Sequence, residues 1–383
     1  MKVFLVTSYM KSKGGVSKYV DRLAKYLSSQ NDHVTIVSLY ADNQLFHYEK
    51  GVTIKNLSNE KILPQSIHFW LNLKKIQKKF SKLVHEDKPD VILFNDFPAT
   101  LWAQDFPSIP TLCYTHDIHM LYTNTYIKNL STITRYLWRI IRIFARIYDK
   151  KQWNYFDEII CNSHFLSKYI LKTYKVQSHV IYPGIDNQIF CPSTNCSKKR
   201  AILTFADLEI RRADFLLLVA SKLIQKRNDF QIWIVGNRGK NDIKLKKLVK
   251  KYHIENNVKF FGMINDDVEL SKIYSESLVL THLVEESAFG IIAGEAMSCQ
   301  TPVIAWKPSG LEELIEDGIN GFNIEANNLD VLKNHIEKFL DDPKLSEEMG
   351  KNARIRSKSL IQQNQKFGEI RDLFQYWIQK KKI

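Results

Sequence analysis

In the stretch Glu285-Glu286-Ser287-Ala288-Phe289-Gly290-Ile291-Ile292-Ala293-Gly294-Glu295-Ala296-Met297, two carboxylates precede a Phe-Gly turn, and a third sits about a turn and a half into the helix that the pattern predicts. Carboxylates on a loop and its adjoining helix accept paired hydrogen bonds from neighbouring hydroxyls, which suits a sugar, and the N–H groups of a helix start suit a diphosphate. An acidic helix start that merely complements the helix dipole has the same look. A second place is Gly14-Gly15, between an apolar run and a helical one, where glycine lets the backbone approach a ligand and the helix start faces an anion; a plain strand-to-helix turn reads alike. The third is Cys113-Tyr114-Thr115-His116-Asp117-Ile118-His119, ending a predicted strand. Ligands of open α/β sheets bind outside the carboxyl ends of strands, so His116 is well placed to face a cleft, as is His119 less favourably.

A fourth pattern concerns surfaces. Between Lys128 and Trp153, Arg135, Arg139, Arg142, Arg146 and Lys150 recur every three or four positions among Ile133, Leu137, Ile140, Ile141, Phe144 and Ile147. On a helix this makes a basic stripe beside a broad apolar surface, which suits a helix lying in a membrane interface, or a core helix with a solvated basic face. The arginines could instead hold an acceptor's pyrophosphate, and either membrane or pyrophosphate binding points to a lipid-linked acceptor. Lys74, Lys75, Lys78, Lys79 and Lys82 form a second basic cluster.

The elements that must position these residues follow from length and periodicity. A chain of 383 residues exceeds the roughly 250 to 300 at which single cores split, so two domains are expected. Its composition, 44% hydrophobic and 25% charged, is globular, and no apolar run reaches the roughly 18 to 20 residues of a membrane span. The N-terminus reads as a buried first strand, the five cysteines lack a C-x-x-C pair, and a cytoplasmic protein without disulfides or structural zinc is expected. The net charge of +14 is concentrated early, with 25 Lys and Arg against 15 Asp and Glu up to Phe190 and 30 against 26 thereafter, so the first half meets an anion. Short apolar runs alternate with helical segments, the pattern of doubly wound α/β sheets. Strands are predicted at 2–7, 33–38, 91–95, 111–115, 158–162 and 179–182, and then at 201–205, 231–235, 258–261, 278–281 and 302–305. The join is expected near Ile189 to Lys199, where the chain is rich in polar residues and breakers.

In their order along the chain these motifs resemble the family 4 retaining glycosyltransferases. Phe289, Gly290, Glu295, Ala296 and Met297 fit the spacing of that family's Glu-x7-Glu signature, and Thr301-Pro302-Val303-Ile304-Ala305 follows it similarly. Gly14-Gly15 is similar to the N-terminal glycine loop, Tyr182-Pro183-Gly184-Ile185-Asp186 to the domain-joining segment, and Ile234-Val235-Gly236 to a turn of the donor domain. Ser309-Gly310-Leu311-Glu312-Glu313 and Asp317-Gly318-Ile319-Asn320-Gly321 resemble later stretches, so the likeness covers nearly the whole chain. Two positions depart from the pattern. Ser287 stands at the first acidic position, so either Glu286 reaches in through a one-residue bulge or that carboxylate is absent. In Phe205-Ala206-Asp207-Leu208-Glu209-Ile210-Arg211-Arg212-Ala213, Asp207 and Arg212 take the places of an Arg and a Lys that bind diphosphate, which leaves Arg211 and Arg212 to supply the positive charge.

The resemblance implies a GT-B architecture, α/β, of two Rossmann-like doubly wound domains facing across a cleft: residues 1–190 for acceptor, 191–364 for nucleotide sugar, and a helix at 365–383 crossing back. It implies transfer of a hexose, with retention, from a UDP- or GDP-linked sugar to a hydroxyl of a glycan or lipid-linked acceptor in cell-surface polysaccharide or glycolipid synthesis. No metal or other cofactor is expected. His116, Asp117 and Glu286 would be catalytic; Gly15, Arg211, Arg212, Ser287, Phe289, Gly290, Ile291 and Glu295 would hold the donor, with Glu295 on the ribose. Gly14, Gly15, Arg135 and Arg139 would hold the acceptor, with the protein peripheral to the inner face of an anionic membrane. The rivals are a catalytically silent glycan-binding or scaffold protein, a nucleotide-sugar epimerase and, last, a nucleic-acid binder, for which no basic and aromatic platform is found.

Overall fold

The computed structural model describes residues 1–382 apart from 11–14, 43–45, 47, 49–50, 65, 118–131, 195, 207–210 and 237–239. Gly14, His119 and Asp207 lie outside the described residues. The chain forms two compact units, Met1–Pro183 with Asn364–Ile383, and Gly184–Gln363.

The first unit is built on β1 (Lys2–Met10), β2 (His33–Ala41), β3 (Val52–Asn56), β4 (Val91–Phe94), β5 (Thr111–Thr115), β6 (Glu158–Cys161) and β7 (His179–Val180). They pair in parallel in the order β3-β2-β1-β4-β5-β6-β7. Parallel strands need crossovers, here including α1 (Gly15–Ser29), α2 (Ile67–Asp87), α3 (Thr132–Gln152) and α4 (His164–Tyr174). With helices covering both faces, the central strands carry apolar residues on both sides: Val3 and Leu5 of β1 enter one core, Phe4 and Val6 the other. Tyr19, Val20, Leu23, Ala24 and Leu27 give α1 the three-and-four spacing that seats it on the first of these cores.

The second unit repeats the plan with β8 (Ala201–Phe205), β9 (Gln231–Val235), β10 (Val258–Gly262), β11 (Val279–His282), β12 (Val303–Lys307) and β13 (Gly321–Glu325), ordered β10-β9-β8-β11-β12-β13 and all parallel. Its helices are α5 (Ala213–Leu223), α6 (Lys240–Lys251), α7 (Asp267–Glu276), α8 (Ile291–Ser298), α9 (Leu329–Asp341) and α10 (Pro343–Ile361). Every strand expected from the sequence is present. Two further strands, β3 and β13, are not announced by apolar runs. Most of β3 is only half-buried, and β13 begins on Gly321, where an added Cβ would lie 2.3 Å from the Val303 carbonyl oxygen, so the glycine marks close strand approach and not a turn.

The last helix, α11 (Gln363–Lys380), belongs to the first unit over most of its length, burying Phe367, Ile370 and Phe374 beside Val3, Leu5 and Tyr114. Arg371 Nε reaches buried Asp32 Oδ2 at 2.8 Å, and the Met1 amino group reaches Oδ1 at 2.8 Å, so one carboxylate ties both chain ends together. Phe374→Ala is expected to cost roughly 3 to 5 kcal/mol, read as a lower urea midpoint.

Candidate active site

In both sheets the strand order reverses once, between β1 and β4 and between β8 and β11, and at such a point the crossovers leave in opposite directions and open a crevice at the carboxyl ends. The polar residues gather there.

In the second unit, β8 ends on Phe205 and β11 on His282. The guanidinium of Arg211 lies 5.5 Å from the Phe205 ring centre, and its charge is felt at both Tyr274 and His282. Burial, with Arg211 adding to it, lowers His282 to about 3, so its imidazole is neutral at any physiological pH. His282 Nε2 stands 3.3 Å from Ser287 Oγ. Tyr274, on α7, donates to Glu295 Oε2 at 3.1 Å; burial first and the Glu295 charge second push its phenol well up, so it remains a donor. Phe289 is buried, and Gly290 starts α8 at φ +83°, where a Cβ would meet His282 Nε2 at 3.1 Å. The Gly290 carbonyl accepts from Ala293, and Ile291 opens the helix.

Thus Arg211, Ser287, Phe289, Gly290, Ile291 and Glu295 meet on this edge with Phe205, Tyr274 and His282, which the motifs do not announce. Glu286 is on the same loop but exposed, at φ +52°, while half-buried Ser287 is the one paired to His282. Arg212 is engaged elsewhere: its guanidinium bonds both carboxylate oxygens of Asp214 at 3.1 Å and stacks 3.8 Å from the Phe215 ring centre. Glu312 closes a capping box, accepting from the Ser309 N–H at 3.0 Å.

In the first unit, His116 follows β5, buried, with Tyr19 and Tyr114 ring centres at 4.6 and 4.7 Å. Its Nε2 is 3.3 Å from Asn95 Oδ1, its carbonyl accepts from Asn162 at 2.7 Å, and burial lowers it to about 3, so it too is neutral. Asp117 beside it is exposed, and Gly15 opens α1 after β1. Asn95 and its neighbour Asp96 sit at the carboxyl end of β4. Neither is visible from sequence spacing, because each depends on which strand lies alongside.

The α3 helix divides by face. Trp138, Ala145 and Asp149 are buried; Tyr136, Ile140, Ile143, Phe144 and Ile147 are exposed on the opposite side, Phe144 to 69%. Along one flank run Arg139 and Lys150, exposed, and Arg135, Arg142 and Arg146, half-buried. Burial and the neighbouring charges of Arg146 and Arg139 lower the Arg142 pKa. Among the described residues no helix is long and apolar enough to cross a membrane, and no three His, Cys, Asp or Glu side chains are grouped to hold a metal ion.

A family model described as Glycosyltransferase Family 4 matches residues 13–188, and one described as Glycosyl transferases group 1 matches residues 189–356. An uncharacterized glycosyltransferase of Methanocaldococcus jannaschii is 25% identical, over 94% of this chain and 93% of its own. Among solved structures, sucrose-phosphate synthase of Thermosynechococcus elongatus superposes with a TM-score of 0.83 at 20% identity, covering 99% of this chain and 100% of its own. HepE of Anabaena in complex with UDP superposes at 0.77 with 18% identity, covering 98% and 100%. With the two family models laid end to end along it, and with a pair of parallel Rossmann-like sheets matching GT-B structures, the chain belongs to the family 4, group 1 glycosyltransferases.

Proposed function

We propose that this protein moves a hexose, with retention and without a metal ion, from a nucleoside diphosphate sugar to a hydroxyl of a glycan or lipid-linked acceptor at an anionic membrane surface, in cell-surface polysaccharide or glycolipid synthesis. The observation that carries the proposal is the cluster of Arg211, Tyr274, His282, Ser287 and Glu295 at the β8–β11 reversal. A departing diphosphate needs positive charge, and a transition state with oxocarbenium character gains most from groups already oriented before the bond breaks. Arg211 supplies the charge, and the first N–H groups of α8, from Ile291 on, supply oriented dipoles. Glu295 accepts from the ribose hydroxyls. Neutral His282 and Ser287 take the hexose with the Phe289 and Gly290 backbone, the place in which a first carboxylate was expected, and exposed Glu286 lies at the rim. UDP bound to the HepE neighbour favours a nucleoside diphosphate as the common element.

In the first unit, neutral His116 can hydrogen-bond a sugar hydroxyl without adding charge, with Asp117 beside it for the acceptor. Gly15 and the start of α1 face the same edge. The exposed apolar face of α3 with its basic flank, Arg135 and Arg139 included, suits a helix seated among lipid headgroups, which would bring a lipid-linked acceptor to the protein. The five cysteines, free in the structure, fit a reducing compartment and hence the inner membrane face.

Thermal unfolding with UDP, GDP, ADP or CMP, each with Mg²⁺ or EDTA, tests the donor. At about 100 times its dissociation constant, one diphosphate is expected to stabilise by about 2.7 kcal/mol, undiminished by EDTA. Arg211→Ala, removing a charge-assisted contact, should weaken that nucleotide roughly 10- to 100-fold. No shift with any nucleotide would favour the silent scaffold instead. Membrane contact is read by flotation with phosphatidylglycerol vesicles: the double variant Ile143→Asp, Phe144→Asp should lose at least about tenfold in binding, since each buried apolar side chain contributes about 1.5 to 3 kcal/mol, while keeping its nucleotide shift.

A further inference from the structure

The strand reversal of the first unit is occupied by Asp96, which no motif marks and which the reading above leaves idle. Asp96 has φ +110°, a conformation in which a side chain costs roughly 1 to 3 kcal/mol, and such strain persists only where the surroundings enforce it. They do so here. Asp96 Oδ1 accepts from the Ser8 hydroxyl at 2.9 Å and from the Ser8 N–H at 3.2 Å, across from β4 to the end of β1. Ser8 Oγ also accepts from the Ala99 N–H at 3.0 Å, and the Asp96 carbonyl accepts from the Thr100 N–H at 3.1 Å. Asp96 Oδ2 makes no hydrogen bond among the described residues. One residue away, Asn95 Oδ1 is the partner of His116 Nε2.

The electrostatics add a second cost. Burial lifts the Asp96 carboxyl to about 8 in spite of both Ser8 bonds, and no lysine or arginine pairs with it among the described residues. The titratable groups that sense its charge are the phenol of Tyr9 and the thiol of Cys113, both pushed up chiefly by their own burial; His116 is neutral. An asparagine would keep both Ser8 bonds and tolerate positive φ at least as well, so nothing among the described residues asks for an acid. A strained, half-buried carboxylate with one oxygen unbonded among the described residues, at the place where open sheets bind ligands, is suited to receiving a proton from a substrate.

We propose that Asp96 receives the acceptor hydroxyl, an inference that rests on the glycosyl-transfer reading. Its Oδ2 accepts the O–H hydrogen bond and then the proton, as the acceptor oxygen bonds to the anomeric carbon and the bond from that carbon to the diphosphate breaks, its electron pair leaving on the nucleoside diphosphate. The proton returns to solvent when product departs. Asp96 must be ionised to act, so the rate rises as pH climbs toward about 8. Stability runs the other way. The folded protein holds this proton between about pH 4 and 8 where the unfolded chain has lost it, so raising the pH through that window removes stability.

Hydrolysis of UDP-glucose and of GDP-mannose, with water as acceptor and nucleoside diphosphate release as readout, tests the assignment in wild type, Asp96→Asn and Ser8→Ala. In wild type, kcat/KM should climb with pH toward about 8. Asp96→Asn should lose that climb and fall at least about 100-fold at pH 8, the usual range for a general base. It should nevertheless keep the nucleotide-induced melting shift and melt higher than wild type at pH 8, a pairing that a merely structural role would not give. Ser8→Ala, which removes a bond favouring the ionised form, should move the climb to higher pH. Hydrolysis by Asp96→Asn within threefold of wild type, with the pH climb intact, overturns the assignment while leaving the transferase reading in place. Absence of a nucleotide-induced shift in wild type instead brings down the transferase reading, and the Asp96 assignment with it.

Discussion

The site depends on a constraint of parallel sheets. Each strand must be reached by a crossover, and where the strand order reverses the crossovers leave toward opposite sides, so the carboxyl ends of two neighbouring strands stay uncovered by either. This chain has one such place in each sheet, at β1–β4 and at β8–β11. Both sheets are otherwise sealed by helices on their faces, which makes the two crevices the points at which polar side chains can meet a ligand without disturbing a core. Ser8, Asp96 and neighbouring His116 in one, Phe205, Arg211 and His282 in the other, are where they are because those strand ends are there.

Burial at the crevices sets the chemical state of what they hold. His116 and His282 are both neutral because desolvation disfavours the imidazolium, and His282 has the Arg211 charge besides. With His282 neutral, the positive charge that reaches it and Tyr274 in the second crevice is, among the described residues, that of Arg211. Arg212, adjacent in sequence, does not compete for that role: it enters with a left-handed backbone and its fork closes on Asp214, locking the start of α5. Two neighbouring arginines are thus placed differently, Arg212 closed on Asp214 and Arg211 over the Phe205 ring, and the left-handed backbone at Arg212 accompanies that division.

What can be read in the sequence follows contact order. Phe289, Gly290 and Glu295 are legible because one loop and one helix carry them, so their spacing is already geometry. The central strands of both sheets are legible because burial on two faces leaves continuous apolar runs, whereas most of β3 is only half-buried and β13 opens on a glycine and alternates Phe322 and Ile324 with Asn323 and Glu325. Tyr274 joins Glu295 across 21 residues, and Asp96 joins Ser8 across 88. No local pattern encodes such pairs; they exist only once strand order is known. The first acidic position illustrates the same limit, since Glu286 and Ser287 are adjacent in sequence and only the backbone turn at Glu286 decides that Ser287 meets His282.

The α3 helix adds a requirement that the sheets do not impose. Its inner side, with Trp138 and Ala145, satisfies the fold, and Trp70 of α2 packs there. Water gains nothing from five large apolar side chains on the outer side, and a helix serving the fold alone would carry polar residues there. A polar outer face would also have no reason to place its cations along one flank. The apolar side and the basic flank together match the depth profile of a lipid surface, hydrocarbon below and anionic headgroups at the edge, and they account for part of the positive charge concentrated in the first half of the chain. The unit in which we propose Asp96 for the acceptor hydroxyl is therefore also the one whose α3 surface has the form of a lipid-facing helix.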